Sequence, residues 1–209
     1  MENRWSEIWS KRKLTNDESI NLEDLMKADG FDSFKPLSPD DWREYCSIIS
    51  KKLDLKSGSS VYEVGCGAGA FLFALNEIQP LVLGGNDYSP ALIEIGKKAI
   101  PDGKFDLIEA NEIDTEQKYD YVLSNSIFQY LTTNYAIEVV HKMLAKSNLA
   151  IGIFDIPDNR LKDASEMNRR NILSKEVYNK KYEGLEHNYY QREWFENIAR
   201  ERKYNIEIF

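Results

Sequence analysis

The sequence predicts an α/β protein built on a doubly wound, mostly parallel sheet. Three observations carry that reading. Short apolar runs alternate with helical stretches beyond Ser57, a glycine-rich turn follows the first run, and an acidic residue closes the second. Strand and helix alternating at this pace is the pattern of a parallel sheet with helices packed on its faces.

The elements follow in order. Residues 1–56 read as an N-terminal helical cap. Within it, SPDDWREYCSIISKKL opens at Ser38 with a serine and two aspartates, a helix start, and Trp42, Tyr45, Ile48, Ile49 and Leu53 then recur on one face. SSVYEVGC (59–66), PLVLGGND (80–87), KFDLIEAN (104–111), YDYVLSNS (119–126) and NLAIGIFDI (148–156) read as five strands. AFLFALNEI, SPALIEIGKKAI and NYAIEVVHKMLAK carry helical periodicity between them. Residues 157–204 form a charged, mostly helical cover, and 205–209, within KYNIEIF, begin a sixth strand; no seventh follows. The whole is expected to make one structural domain.

Composition narrows the function. At 209 residues the chain can bury one sizeable core, and 42% hydrophobic with 30% charged residues is ordinary for a globular domain. No run nears the roughly 20 apolar residues needed to cross a bilayer, and MENRWSEIWSKRK lacks the apolar core of a signal peptide. A cytoplasmic protein without membrane attachment is expected. A net charge of −8 argues against a nucleic-acid partner, which would require a basic face. Two cysteines, Cys46 and Cys66, and two histidines, His141 and His187, are too few for a disulfide framework or a Cys/His metal site, so no metal is expected.

The stretch VYEVGCGAGAF (61–71) places glycines at 65, 67 and 69 at the carboxyl end of the first strand, the edge where parallel sheets bind ligands. GCGAGA satisfies the dinucleotide pattern G-x-G-x-x-G/A, so a nicotinamide cofactor is one reading. The surroundings add more: Glu63 stands two residues before Gly65, and Asp87 closes the second strand ahead of YSPALI.

These features resemble the class I S-adenosylmethionine-dependent methyltransferases, over roughly residues 40–156. The resemblance implies a Rossmann-like core over 57–156 and S-adenosylmethionine as cofactor. It also implies roles for particular residues. The turn of Gly65, Cys66, Gly67 and Gly69 would approach the methionine part. Glu63 would fix the turn and favour the ammonium, and Asp87, with Tyr88 beside it, would accept the ribose hydroxyls. Asn111 and Glu112 in EANEID would hold adenine, and the carbonyls of Ser124 and Asn125 would accept from the ammonium.

The acceptor side is less marked. Many small-molecule members of that family carry a histidine just after the fourth strand, where this chain has Gln129 and Tyr130. Tyr130 and His187 are the candidate catalytic residues, His187 as a general base because an imidazole titrates near neutrality. His141, inside a helix, reads as structural. Trp5, Trp9, Phe31, Phe34, Tyr130, Tyr189, Tyr190 and Trp194 are candidate aromatic neighbours of a sulfonium, and Tyr182 also flanks His187. Residues 157–204 hold eleven Lys/Arg against nine Asp/Glu, while the rest of the chain holds 16 against 26. That contrast suits an anionic small substrate, with Arg169, Arg170 and Arg192 as contacts.

After the fourth strand, NSIFQY lacks the D/N-P-P-Y-like motif of methyltransferases that act on base amines. The expected activity is therefore methyl transfer to oxygen or nitrogen of a small molecule. An NAD(P)-dependent oxidoreductase and a non-catalytic S-adenosylmethionine-binding protein are the alternatives. The missing seventh strand leads us to expect a longer natural chain, or a sheet that ends early and exposes an edge; monomer and homodimer both fit.

Overall fold

Five runs pair as parallel strands in the order β3-β2-β1-β4-β5: β1 (Ser60–Val64), β2 (Val82–Asp87), β3 (Lys104–Leu107), β4 (Tyr119–Asn125) and β5 (Ser147–Phe154). In the central strand β1, Val61 to Val64 are all buried, so both faces of the sheet are covered, as parallel sheets require. The computed structural model describes residues 9, 12, 19–31, 37–172, 174–182, 185 and 187–209. They fall into two units: Met1–Asn125 with Asn134–Phe154, and Ser126–Thr133 with Asp155–Phe209.

In the first unit the sheet is flanked by α1 (Leu22–Ala28), α2 (Pro39–Lys52), α3 (Ala70–Ile78), α4 (Pro90–Ala99) and α5 (Thr133–Lys146). α2 begins where the sequence predicts. The Ser38 hydroxyl accepts the Asp41 amide while the Asp41 carboxylate accepts the Ser38 amide, a reciprocal capping box with Pro39 at the first helical position. Its buried face comprises Trp42, Cys46, Ile49 and Ser50; Ile48, expected inside, is 50% exposed because it lies round the helix from that stripe. The indole of Trp42 donates to the Ala70 carbonyl at 3.2 Å, anchoring α2 to the start of α3. The N-terminal helices therefore share one hydrophobic core with the sheet.

The second unit contains 3-10 turns at Phe128–Tyr130 and Asn159–Leu161 and the helices α6 (Lys162–Ile172), α7 (Lys175–Tyr182) and α8 (Arg192–Arg202). Buried Tyr190 organises it. Its hydroxyl lies 3.0 and 2.9 Å from the Phe128 and Leu131 carbonyls, and its ring packs against Phe128, Trp194 and Phe195. These contacts draw residues 126–133 to the C-terminal segment, which enters this unit at Asp155.

The sixth strand expected in KYNIEIF is absent. α8 ends at Lys203 in a left-handed turn with φ 60°, and residues 204–209 are exposed and not in a strand. Apolar alternation alone does not make a strand, because the ladder hydrogen bonds need a neighbour.

Candidate functional site

The carboxyl ends of β1, β2 and β4 lie along one edge of the sheet, with β1 between the other two. The turn leaving β1 is left-handed at three of five residues: φ is 71° at Gly65, 55° at Gly67 and 88° at Gly69. Side chains pay about 1–2 kcal/mol to enter that region, so glycine is required there. Gly69 is the N-cap of α3 and has no side chain to cap it.

A carboxylate from far away in sequence supplies the cap. Asp29, the residue closing α1, accepts the Ala68 amide at 2.6 Å and the Ala70 amide at 3.1 Å. A Cβ added at Gly67 would overlap Asp29 Oδ1. One group that comes close enough to demand glycine is thus a side chain of the protein itself. Sequence reasoning missed Asp29, and the only local hint was an Asp-Gly pair ending a short helix.

Asp87 lies where predicted, buried at the end of β2. Its Oδ2 accepts the Gly67 amide at 3.1 Å and its Oδ1 the Ser89 amide at 2.8 Å. The helix cap is Ser89, whose hydroxyl accepts from Leu92 at 3.4 Å, so Asp87 is not a simple helix cap. The Tyr88 amide also favours the carboxylate, and the acceptor positions these amides leave give capacity for a diol.

Glu63 is 2% exposed, and its Oε2 finds no hydrogen-bond partner among the described residues. Burial, then the charges of Asp29 and Asp87, push its carboxyl well above the usual range. Burial likewise raises Asp29 to about 7, opposed by its two amide donors, and Asp87 to about 6, opposed by the amides of Ser89 and Gly67. Cys66 is buried, and its thiol is pushed up first by burial and next by Asp87, so it is an inert wall of the turn.

Tyr88 is half-buried beside Asp87. Asn111 is committed to α5: its Nδ2 donates to Glu138 at 2.8 Å, and its Oδ1 lies 2.9 Å from the Tyr135 hydroxyl, which is also 3.1 Å from Glu109. Glu112 is exposed. Ser124 is fully buried with its hydroxyl unpartnered among the described residues, and the Asn125 Oδ1 accepts from Tyr45 at 2.6 Å. In the first unit the geometry gathers Glu63, the glycine turn and Asp87, while it ties Asn111 to a neighbouring helix.

In the second unit, His187 meets Arg169 through Nδ1 and lies edge-on to Tyr130 at 5.6 Å. Arginine can only donate, so Nδ1 accepts and the neutral ring carries its proton on Nε2. Burial, then the Arg169 charge, lower His187 to about 4, so it does not titrate near neutrality as expected. Arg169 also donates to the Tyr189 hydroxyl, Arg170 lies 3.7 Å from Glu166, and Arg192 lies 3.7 Å from Asp158. His141 is half-buried on α5. Trp9 accepts from Ser89 through its carbonyl, and Phe31 stacks on Trp42 at 4.4 Å as core. Trp5 and Phe34 lie outside the described residues, as does the side chain of Tyr182.

Residues 62–150, from the middle of β1 into β5, match a family model described as a methyltransferase domain. The matched segment contains Glu63, the glycine turn, Asp87, Asn111, Ser124 and Asn125; Asp29 and His187 lie outside it. Among curated proteins, the chain is 28% identical over 111 residues to trans-aconitate 2-methyltransferase of Escherichia coli O1:K1, covering 53% of this chain and 44% of the relative. It is 28% identical over 109 residues to that of Enterobacter sp. (strain 638), covering 52% and 43%. The chain thus matches a little under half the length of these relatives.

Solved structures share the architecture of the methyltransferase domain and its flanks. Magnesium protoporphyrin IX methyltransferase from Synechocystis PCC 6803 with bound SAH superposes with TM-score 0.61 at 14% identity, covering 98% of this chain and 84% of that one. The plantazolicin methyltransferase BpumL, in complex with a pentazolic desmethylPZN analog and SAH, gives 0.61 at 19% identity, covering 85% and 70%. At such identities the likeness establishes the fold.

Proposed function

We propose that this chain transfers a methyl group from S-adenosylmethionine to an oxygen or nitrogen of a small molecule. The observation that carries the reading is Glu63: a buried carboxyl with an unpartnered oxygen, beside a glycine turn that is hydrogen-bonded to Asp87. An orphaned buried acid is costly unless a cationic partner meets it. The cofactor's ammonium has that chemistry, and its ribose diol suits the remaining acceptor positions of Asp87. When bound, the cofactor would supply a methyl carbon activated by a positive sulfur, its carbon–sulfur bond giving way to the acceptor's lone pair and leaving a thioether.

The chain's residues would bind and orient. Glu63 would face the ammonium, Asp87 the ribose, and the backbone carbonyls of Ser124 and Asn125 the amino group. Gly65, Cys66 and Gly69 would shape the wall, with Tyr88 beside the ribose. For adenine, the main chain near Asn111 and Glu112 is the better contact, since the Asn111 amide is held by Tyr135 and Glu138. Tyr130 and His187 are proposed for the acceptor side, with His187 a neutral hydrogen-bond donor and not a near-neutral base.

An anionic acceptor is favoured by two supports. The matched relatives carry the name trans-aconitate 2-methyltransferase, and residues 157–204 are the less acidic part of the chain. A carboxylate acceptor needs no base, which accords with a histidine that stays neutral. We further propose that the protein acts in the cytoplasm as a monomer or homodimer; no helix among the described residues is long and apolar enough to cross a membrane. The oxidoreductase alternative loses ground because the segment carrying GCGAGA is the one that matches the methyltransferase domain.

Calorimetry with S-adenosylmethionine and S-adenosylhomocysteine, followed by transfer of a labelled methyl group to a panel of small carboxylic acids, amines and alcohols, tests the reading. Saturable binding and labelling of one acceptor class are expected. Failure of a folded chain to bind either nucleoside would sink it, and binding without transfer to any acceptor would leave a cofactor-binding protein instead.

A further inference from the structure

The glycine turn has an organiser that lies outside the methyltransferase domain. Three of its amides are held by carboxylates: Gly67 by Asp87, and Ala68 and Ala70 by Asp29. Asp29 reaches the turn from about forty residues upstream, where it closes α1 with its own amide bonded to the Leu25 and Lys27 carbonyls. The same N-terminal segment makes a second contact beside Asp87, through the Ser89 hydroxyl and the Trp9 carbonyl at 3.3 Å. Arg12 lies over the Trp9 ring at 5.3 Å, and a Cβ at Gly30 would meet both residues at 3.0 Å.

We propose that Asp29 is a positioning residue for the cofactor turn, its carboxylate setting the conformation of Ala68–Ala70 so that a folded N-terminal segment and a binding-competent turn form together. The inference rests on the cofactor reading given above. A purely local turn would have no means of fixing these amides, because Gly69, at the helix N-cap, offers no side-chain acceptor. The clamp works best with Asp29 ionised, since two oxygens must each accept a hydrogen bond. The groups that face it are Arg12, which favours the ionised form, and Asp87, which opposes it; the Glu63 carboxyl and the Cys66 thiol lie alongside and are themselves pushed up by the Asp29 charge. Burial places its midpoint at about 7. Protonation of Asp29 would therefore loosen the turn just below neutral pH.

The test compares the wild-type chain with Asp29→Asn and Asp29→Glu. Calorimetric Kd values for S-adenosylhomocysteine and S-adenosylmethionine are measured from pH 5.5 to 8.5, alongside hydrogen exchange of the Ala68 and Ala70 amides and thermal unfolding without ligand. The titration of the ligand's own amine is common to all three proteins and cancels in the comparison. Asp29→Asn is expected to bind about tenfold more weakly at pH 8, equivalent to about 1.4 kcal/mol. It should lose the affinity step near pH 7 and exchange the two amides faster, while Asp29→Glu recovers part of the step. A variant with a lower Tm but a Kd ratio to wild type that is the same at every pH would show a merely structural residue and overturn the proposal. So would unchanged amide exchange in Asp29→Asn. If the wild-type chain binds neither nucleoside at any pH, the cofactor reading falls and takes the proposal with it; wild-type binding with an unmoved variant sinks the proposal alone.

Discussion

The Asp87 carboxylate accepts the Gly67 amide at 3.1 Å, joining the end of β2 to the turn that leaves β1. With its other oxygen on the Ser89 amide at 2.8 Å, one side chain sets the separation of two loops at the ligand edge of the sheet. Asparagine has a single oxygen and can satisfy only one of these amides while also losing the charge. Asp87→Asn is expected to weaken S-adenosylhomocysteine binding about 10- to 100-fold, the worth of one charge-assisted hydrogen bond at about 1.5–3 kcal/mol. Isothermal titration at pH 8 reads this directly; an unchanged Kd would remove Asp87 from the ribose role.

Gly67 is constrained twice, by φ of 55° and by the carboxylate of Asp29 against it. Gly67→Ala should cost about 1–2 kcal/mol for the left-handed backbone alone, with more for the overlap. In an Asp29→Ala background the overlap is gone and only the backbone cost remains. A double-mutant cycle followed by urea unfolding should therefore give a coupling energy above about 0.5 kcal/mol. Additive costs would show that the two residues do not meet.

Tyr45 and Asn125 form another long-range pair, with the hydroxyl of α2 donating to the amide oxygen at the end of β4 at 2.6 Å. Tyr45→Phe removes the donor while keeping the ring against Trp42 and Phe71. A loss of about 1 kcal/mol in stability is expected, together with a several-fold weaker Kd for S-adenosylhomocysteine if the main chain at Asn125 takes part in binding. Stability loss with an unaltered Kd would separate Asn125 from the site.

Much of this was legible in the sequence because it depends on local rules. The period change near residue 57 gave the parallel sheet, Ser38 with the two aspartates after it gave the start of α2, and Gly65, Gly67 and Gly69 gave a turn at the ligand edge, which the structure shows to be left-handed at each of them. Contacts between distant segments were not legible. No local pattern says that Asp29 will cap a helix starting at residue 70, or that Asn111 will be taken up by Tyr135 and Glu138. KYNIEIF misled for the converse reason: its alternation is a strand's, but pairing depends on a neighbour that the segment cannot specify.

The buried carboxyls make stability fall with rising pH. Asp29, at about 7, and Asp87, at about 6, hold protons more tightly folded than unfolded, where the ordinary value is 3.8. Between the unfolded and folded values the native state binds more protons, so unfolding becomes easier as pH rises, levelling above the folded value. His187, lowered to about 4 from 6.5, acts in the opposite direction below pH 6.5. The clean window is therefore above that pH, where Asp29 still titrates. Tm should fall between pH 6.5 and pH 8, by roughly 2–4 °C for each kcal/mol lost. Asp29→Asn should lessen that decline, the part left belonging to Glu63, which is also pushed well above the usual range; a wild-type Tm constant across the window would contradict the enclosure of Asp29.

His187 provides a prediction independent of the cofactor. With burial and Arg169 both disfavouring the charged ring, its midpoint lies at about 4, and its Nδ1 accepts from the guanidinium. The imidazole should show no NMR titration between pH 5.5 and 8, and its nitrogen shifts should report a proton on Nε2. Arg169→Gln removes the charge and leaves the burial, so the midpoint should rise without reaching 6.5, because burial is the larger of the two causes. A wild-type midpoint near 6.5 would instead restore His187 as a general base. In that event kcat should fall on acidification through that midpoint, whereas a neutral donor leaves kcat without a step of its own there.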